Sequence, residues 1–215
     1  MDLSSGKKEL LALCRQMTEK GYALGTSGNI SIRADGDICV ITPSGMAYEK
    51  LNEDDFVASD LQGNIVEGRH KPSIELSMHR RIYMDRDDVF AVFHNHSTYS
   101  TIAASLLGVD ELPPVDIESV IYLGGSIKVA PFALPGSEEL AEFAVQALGM
   151  RGGVLLQNHG AIGVGKTLGE ARTASDILER LCQMYLQINA VGKLNPLTGE
   201  AVDKYAKLYL SRRKS

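Results

Sequence analysis

Only three of the 215 residues are cysteines, Cys14, Cys39 and Cys182, and none belongs to a Cys-x-x-Cys pair. Their odd number and wide spacing exclude a disulfide framework or zinc knuckle and leave them as small buried hydrophobes. Long apolar runs are also missing, so no segment reads as membrane-spanning and no membrane partner is expected. An excess of basic residues is missing as well. The 22 Lys and Arg against 27 Asp and Glu give a net charge of −5, which argues against a nucleic-acid partner. Only the tail from Ser211 to Ser215 is locally basic, and short charged termini are ordinarily solvated. The first residues hold an acidic Asp2 and no apolar signal segment, so the expected location is cytoplasmic. Low-complexity stretches are absent and apolar residues reach 44%, which excludes a disordered chain.

What is present suits one domain over residues 1–215 with a real hydrophobic core. Lys7 to Lys20 reads as a helix stopped by Gly21, with Leu10, Cys14 and Met17 on one face. Ile30 to Arg33 alternates as a strand, and Asp35-Gly36 turns it into a second strand that ends at Thr42. A hairpin around Gln62-Gly63, a helix from Ile74 to about Tyr83 and a buried strand from Val89 to Phe93 follow. Ser97 to Leu107 is helical by pattern, and Ser126 to Pro131 is extended. Ser137 caps a helix to Met150, and Gly153 to Gln157 is a core strand. Helices over Thr167–Ala190 and Ala201–Leu210 complete the pattern, the last as a tail helix. Hairpins and helical connections together indicate a mixed sheet flanked by helices.

The five histidines are clustered. His94 and His96 end an apolar strand two residues apart, so both rings project to one side. His159 sits in a Gln-Asn-His-Gly turn after another core strand and can supply a third metal ligand. Glu75 can be a fourth ligand or the base beside the metal. A surface or hydrogen-bonded His pair is the competing reading of His94-x-His96. His79, one helical turn after Glu75, is either support for the ligands or an exposed Glu–His pair. His70 reads as a surface residue.

Two loops, Gly25-Thr-Ser-Gly-Asn29 and Thr42-Pro-Ser-Gly45, are rich in glycine and hydroxyl groups, and Pro72-Ser73 precedes a helix. Each alone reads as an ordinary turn; together, beside a metal, they suit an anionic phosphorylated substrate. Gly160 to Thr167 matches the Walker A pattern letter for letter. It lacks a partner strand of Walker B type, and residues 160–165 continue an alternating strand, so a nucleotide site is not expected there.

In combination, Gly25-Thr-x-Gly-Asn29, Thr42-Pro-Ser-Gly45, Lys71-Pro-Ser-x-Glu75, His94-x-His96 and Asn158-His-Gly160 resemble the class II aldolase/adducin family, in the family's order and up to about Gln187. The resemblance implies a three-layer α/β/α domain with a mostly antiparallel central sheet. It also implies a homotetramer with active sites at subunit interfaces. A divalent ion, usually Zn2+ with Mn2+, Co2+ or Fe2+ as alternatives, would be held by His94, His96 and His159, with Glu75 joining at rest and then acting as acid/base. Thr26, Asn29, Ser44, Gly45 and Ser73 match its phosphate-binding positions. The implied reaction cleaves a ketose 1-phosphate, such as L-fuculose 1-phosphate or a 5-deoxypentulose 1-phosphate, to dihydroxyacetone phosphate and an aldehyde. Such a cleavage leaves an enediolate, whose charge a Lewis-acidic ion stabilises while a carboxylate moves the protons.

The same fold also hosts epimerases, dehydratases and decarboxylases of sugar phosphates, and non-catalytic adducin head domains. The glutamate at position 75, where the epimerases place aspartate, favours the aldolase; the three histidines disfavour a scaffold. Two positions depart from the aldolase pattern. Ile74 stands in place of a second phosphate-binding serine. Glu118 occupies the position of a catalytic tyrosine contributed across the subunit interface, with Tyr122 four residues on, and is a candidate for its proton-transfer role. The C-terminal Tyr205 and Tyr209 are candidates to approach the site, Tyr209 as a catalytic group.

Overall fold

A computed structural model describes residues 2–19, 22 and 25–214, with the side chains of residues 18, 19 and 214 left aside. The strands are β1 (Asn29–Ala34), β2 (Ile38–Ile41), β3 (Val57–Asp60), β4 (Ile65–Glu67), β5 (Ala91–Asn95), β6 (Glu111–Leu112), β7 (Ile127–Ala130), β8 (Gly153–Leu156) and β9 (Gly160–Gly165). The helices are α1 (Leu3–Glu19), α2 (Leu76–Asp85), α3 (Thr98–Ala104), α4 (Ile117–Leu123), α5 (Glu138–Leu148), α6 (Leu168–Val191) and α7 (Glu200–Lys214). Among the described residues the strands form one sheet in the order β4-β3-β2-β1-β5-β9-β8-β7-β6. The sheet is mixed. β7 and β8 run parallel, which requires a crossover, and α5 supplies it. The other paired neighbours run antiparallel.

Helices cover both faces. Leu76, Met78 and Ile82 of α2 and Leu140 and Ala144 of α5 bury against Val92, Ile162 and Val164 of the sheet. On the other face, Leu10, Cys14 and Met17 of α1 meet Ile30, Ile32 and Phe93, while Leu178 and Cys182 of α6 meet Leu155 and Ala161. The run Ala91-Val-Phe93 is therefore apolar without alternation because both faces of β5 are buried. The three cysteines are buried and free, as expected. No helix among the described residues is long and apolar enough to cross a membrane.

Several boundaries differ from the sequence reading. α1 begins at Leu3 rather than Lys7, and its expected stop at Gly21 lies outside the described residues. α2 begins at Leu76, with Glu75 as its N-cap. β5 reaches Asn95 and so includes His94, because its ladder with β9 continues through His94 and Asn95. α3 closes at Ala104, and Leu107 beyond it is fully exposed. The tail helix is longer than expected and spans Glu200–Lys214. No helix is expected from the sequence at Ile117–Leu123, where β-branched residues hide the pattern, but the Asp116 side chain accepts from Ser119 N and starts one.

Candidate active site

Three neighbouring strands and the start of α2 build the site. β1 pairs with β5 so that Asn29 lies opposite His94, and β5 pairs with β9 so that His94 lies opposite Ile162. Two glycines let the backbones approach. Gly28 enters β1 at φ +75°, where a Cβ would stand 2.8 Å from the His94 carbonyl oxygen. At Gly160, a Cβ would stand 2.4 Å from the Asn95 oxygen and 2.9 Å from His96 Cδ2. The turn before it places Asn158 at φ +53°, a conformation that asparagine tolerates, and sends the His159 ring back over the end of β5. His96 is fixed by its backbone N–H, which donates to the Tyr22 oxygen.

The result is a convergence of ligand atoms. His94, His96 and His159 place one ring nitrogen each within 4.8 Å of one another. His96 Nε2 lies 3.0 Å from His94 Nε2. The Glu75 carboxylate faces the same point, 3.1 Å from His94 Nε2 and 3.3 Å from His159 Nε2. His94 Nδ1 lies 3.0 Å from the Ala161 carbonyl; a proton donated there leaves Nε2 as the ligand atom. Glu75 Oε1 and His159 Nδ1 are buried without a hydrogen-bond partner. Three imidazole nitrogens, one carboxylate and these orphaned atoms fit a divalent cation.

Electrostatics agree with that role. Burial, the largest influence, would raise the Glu75 carboxyl, but the charges of His94 and His159 and hydrogen bonds from His94 and Asn29 hold it well below the ordinary range. Burial and the His94 charge push His96 down to about 3 and His159 to about 4, so both rings are neutral near pH 7. Glu75 is an anion beside neutral His96 and His159; burial would lower His94, but the Glu75 charge and hydrogen bond raise it.

The glycine and hydroxyl segments gather at the same cleft. Ser44 N donates to the Lys71 oxygen at 2.9 Å, and Ser73 N to the Thr42 oxygen at 3.1 Å, joining the two loops side by side. Thr26, Asn29, Ser44, Gly45, Ser73 and Glu75 line one cleft of about 370 Å³ together with His96 and His159. Ile74, 65% exposed, stands on its rim. Asn29 is already bonded, its Nδ2 donating to Glu75 Oε2 at 2.8 Å and its Oδ1 accepting from His79 Nε2 at 2.5 Å. One side-chain N–H is left for a substrate.

Two candidates lie elsewhere. Glu118 sits in the first turn of α4, half exposed, and pairs with Arg180 of α6. Tyr209 does not approach the cleft of its own chain. It is 4% exposed and packs on Gly124, with the Arg213 guanidinium 5.1 Å from the ring centroid. Gly124 and Gly152 leave a slot for this ring, and the tail helix settles into it. Tyr205, half-buried, lies on the same helix with Lys204 against its ring.

His79 proves to be neither surface nor half of an exposed pair. It is fully buried and bonded to Asn29 and Ser31. His70 is half-buried and binds Asp55 at 2.9 Å. The Walker-like segment is strand β9, and its glycines serve helix packing. A Cβ at Gly163 would meet Ser175 Oγ at 2.3 Å, and one at Gly165 would meet Ala171 N at 2.5 Å. The start of α6 is closed as well, since Lys166 N donates to Glu170 Oε2 and Glu170 N to Thr167 Oγ1.

Known proteins resemble this chain over most of its length. Residues 8–186 fit the model of the Class II Aldolase and Adducin N-terminal domain. The 5-deoxy-D-ribulose 1-phosphate aldolase of Bacillus thuringiensis is 34% identical over 210 residues, covering 97% of each chain. The L-fuculose phosphate aldolase of Escherichia coli is 37% identical over 191 residues, 89% of this chain and 87% of that one. A solved L-fuculose 1-phosphate aldolase superposes with a TM-score of 0.91 at 33% identity, covering 96% of this chain and 97% of the other.

Proposed function

This chain belongs to the class II aldolase and adducin family, and from that premise we propose that it cleaves a small ketose 1-phosphate, of the L-fuculose or 5-deoxypentulose type, to dihydroxyacetone phosphate and an aldehyde. The observation that carries this reading is the meeting of three histidine nitrogens and the Glu75 carboxylate at one point of a hydroxyl-lined cleft. His94, His96 and His159 would hold a divalent ion, with zinc the first choice for an N3O donor set. Such an ion, when bound, supplies Lewis-acid polarisation of the substrate carbonyl.

The remaining work falls to this chain's own side chains. Thr26, Ser44, Gly45 and Ser73 orient the phosphate, and the free Asn29 N–H adds a donor beside Glu75. Glu75 is the proton carrier. In the synthetic direction the Glu75 carboxylate removes a proton from the carbon beside the carbonyl. In the cleavage direction it first takes a proton from solvent in the open cleft and then delivers it to the carbon left electron-rich by the broken C–C bond. The hydroxyl on the aldehyde side must lose a proton as the bond breaks. Glu118, exposed on α4, is our candidate for receiving it from a neighbouring copy. In this reading the working unit is a homotetramer with shared clefts, as the family resemblance implies. Ile74 and Leu134, 65% and 70% exposed, support an intersubunit cleft, because both are large apolar groups at or next to its rim. Three free cysteines suit the cytoplasm.

The test is metal content followed by product identification. Protein purified without added metal should carry a divalent ion and release dihydroxyacetone phosphate from L-fuculose 1-phosphate or 5-deoxyribulose 1-phosphate. His94→Ala should lose both the ion and the activity. Unchanged metal content in that variant would remove the histidines from the site, and a product other than dihydroxyacetone phosphate would replace the aldolase reading.

A further inference from the structure

Behind Glu75, five buried polar side chains interlock between α2 and β1. Glu75, His79 and Tyr83 recur every fourth residue along one face of α2, from its N-cap to its last turn, and Asn29 and Ser31 recur every second residue on the facing strand. Four helical residues advance about 6 Å and two strand residues about 6.6 Å, so the two rows mesh like a zipper. The bonds alternate between the rows. Asn29 Nδ2 lies 2.8 Å from Glu75 Oε2, and Asn29 Oδ1 lies 2.5 Å from His79 Nε2. On the other side of the ring, His79 Nδ1 lies 2.6 Å from Ser31 Oγ, which lies 2.6 Å from the Tyr83 hydroxyl. None of the five is more than 5% exposed.

The chemistry of these groups fixes one direction for the chain. An ionised Glu75 accepts only, so Asn29 must turn its NH2 toward it and its oxygen toward His79. That oxygen requires a proton on His79 Nε2, which makes Nδ1 the acceptor in a neutral ring. Ser31 then donates to Nδ1 and accepts from Tyr83. Each group has one role. Reversing the Asn29 amide would bring its oxygen against the carboxylate and its NH2 against the His79 N–H.

We propose that His79 is a positioning residue: held in the Nε2–H form by Ser31 and Tyr83, it locks the Asn29 amide so that Glu75 is presented to the three histidines and the substrate in one orientation. His79 touches neither substrate nor ion and acts through Asn29. The inference rests on the aldolase reading for its kinetic readout, but its metal-affinity readout does not.

The experiment compares His79→Leu, which removes both ring bonds, with His79→Gln, whose amide can restore a donor and an acceptor. Zinc affinity is measured by competition with a chromophoric chelator, and kcat and KM are measured on the zinc-loaded proteins. In His79→Leu, zinc affinity should fall about tenfold and kcat by about 10²-fold, with KM within about twofold of wild type. His79→Gln should recover most of both. A merely structural His79 would lower thermal stability in both variants and leave zinc affinity and kcat per bound zinc unchanged, and that result overturns the proposal. So does a folded His79→Gln no better than His79→Leu. If His79→Leu does not fold, Ser31→Ala and Tyr83→Phe carry the test, since they remove only outer donors. Each should cost several-fold in zinc affinity and kcat, and wild-type values in both would end the inference. A wild-type protein that binds zinc but shows no aldolase activity would fail the functional reading alone, while the zinc-affinity series still decides the role of His79.

Discussion

The hydrogen that Gly160 carries in place of a side chain is what allows His159 to meet His94 and His96. A methyl group there would have to share space with the Asn95 oxygen at 2.4 Å and the His96 ring at 2.9 Å. Gly160→Ala should therefore destabilise the protein by about 2 kcal/mol or more through overpacking of the β5–β9 pair, and weaken zinc binding with it. Urea unfolding and a zinc titration check both effects; wild-type values in each would mean that the strands relax freely at this point. The convergence of His94, His96 and His159, the candidate ligands, was legible in the sequence, because a strand places i and i+2 on one side and a histidine before a glycine marks a turn. His79 was not. Its spacing from Glu75 is the same for an exposed helical pair as for a buried link, and only the strand lying across the helix distinguishes the two.

At the scale of elements, alternation misleads in one place. Asn29-Ile-Ser31-Ile32 has the polar–apolar pattern of a strand with one wet face, yet both faces of β1 are buried. Its polar face is occupied by the Glu75, His79 and Tyr83 row of α2, a pairing between segments 46 to 52 residues apart that no local pattern encodes. The glycines of β9 imitate a phosphate loop in spacing only; the alternation of the strand already argued against a nucleotide site, and they make room for α6. A carboxylate on α6 also secures the ligand strand. Ser97 Oγ, Tyr99 N, Ser100 N and Ser100 Oγ all donate to Glu179 at 2.7–2.8 Å, tying the chain down immediately after His96. Removing it leaves several buried donors without a partner. Glu179→Ala should cost about 2–4 kcal/mol in urea unfolding, more than an exposed helix cap is worth. A loss below about 1 kcal/mol would show that water replaces the carboxylate at no penalty.

At the scale of the whole molecule, the site lies on the three central strands, β1, β5 and β9, directly under α2, so its ionisation is part of the stability of the core. That strand order was not readable from the sequence, since it depends on pairing between distant segments. The consequence appears on acidification. The His79 ring, fully buried, is pushed by desolvation first and by the His94 charge second from 6.5 down to about 3. Between those values the unfolded chain binds a proton that the folded chain refuses, so this contribution to stability is fully present above pH 6.5 and falls as the pH drops toward 3. One such group gives a slope of about 1.4 kcal/mol per pH unit inside the window, and His96 and His159, depressed in the same sense, add to it. His94 is raised by Glu75 against the effect of burial, so its contribution is present at low pH and lost as the pH rises above 6.5. The two effects place maximum stability of the metal-free protein near neutrality. Chelator-treated protein unfolded in urea at several pH values between 7 and 4 should lose stability steadily, and His79→Gln, which cannot titrate, should remove about one proton's share of the slope. Equal slopes for the two proteins would mean that His79 already accepts its proton in the folded state, and the buried zipper from Tyr83 to Glu75 would then have to be drawn with a charged ring at its centre.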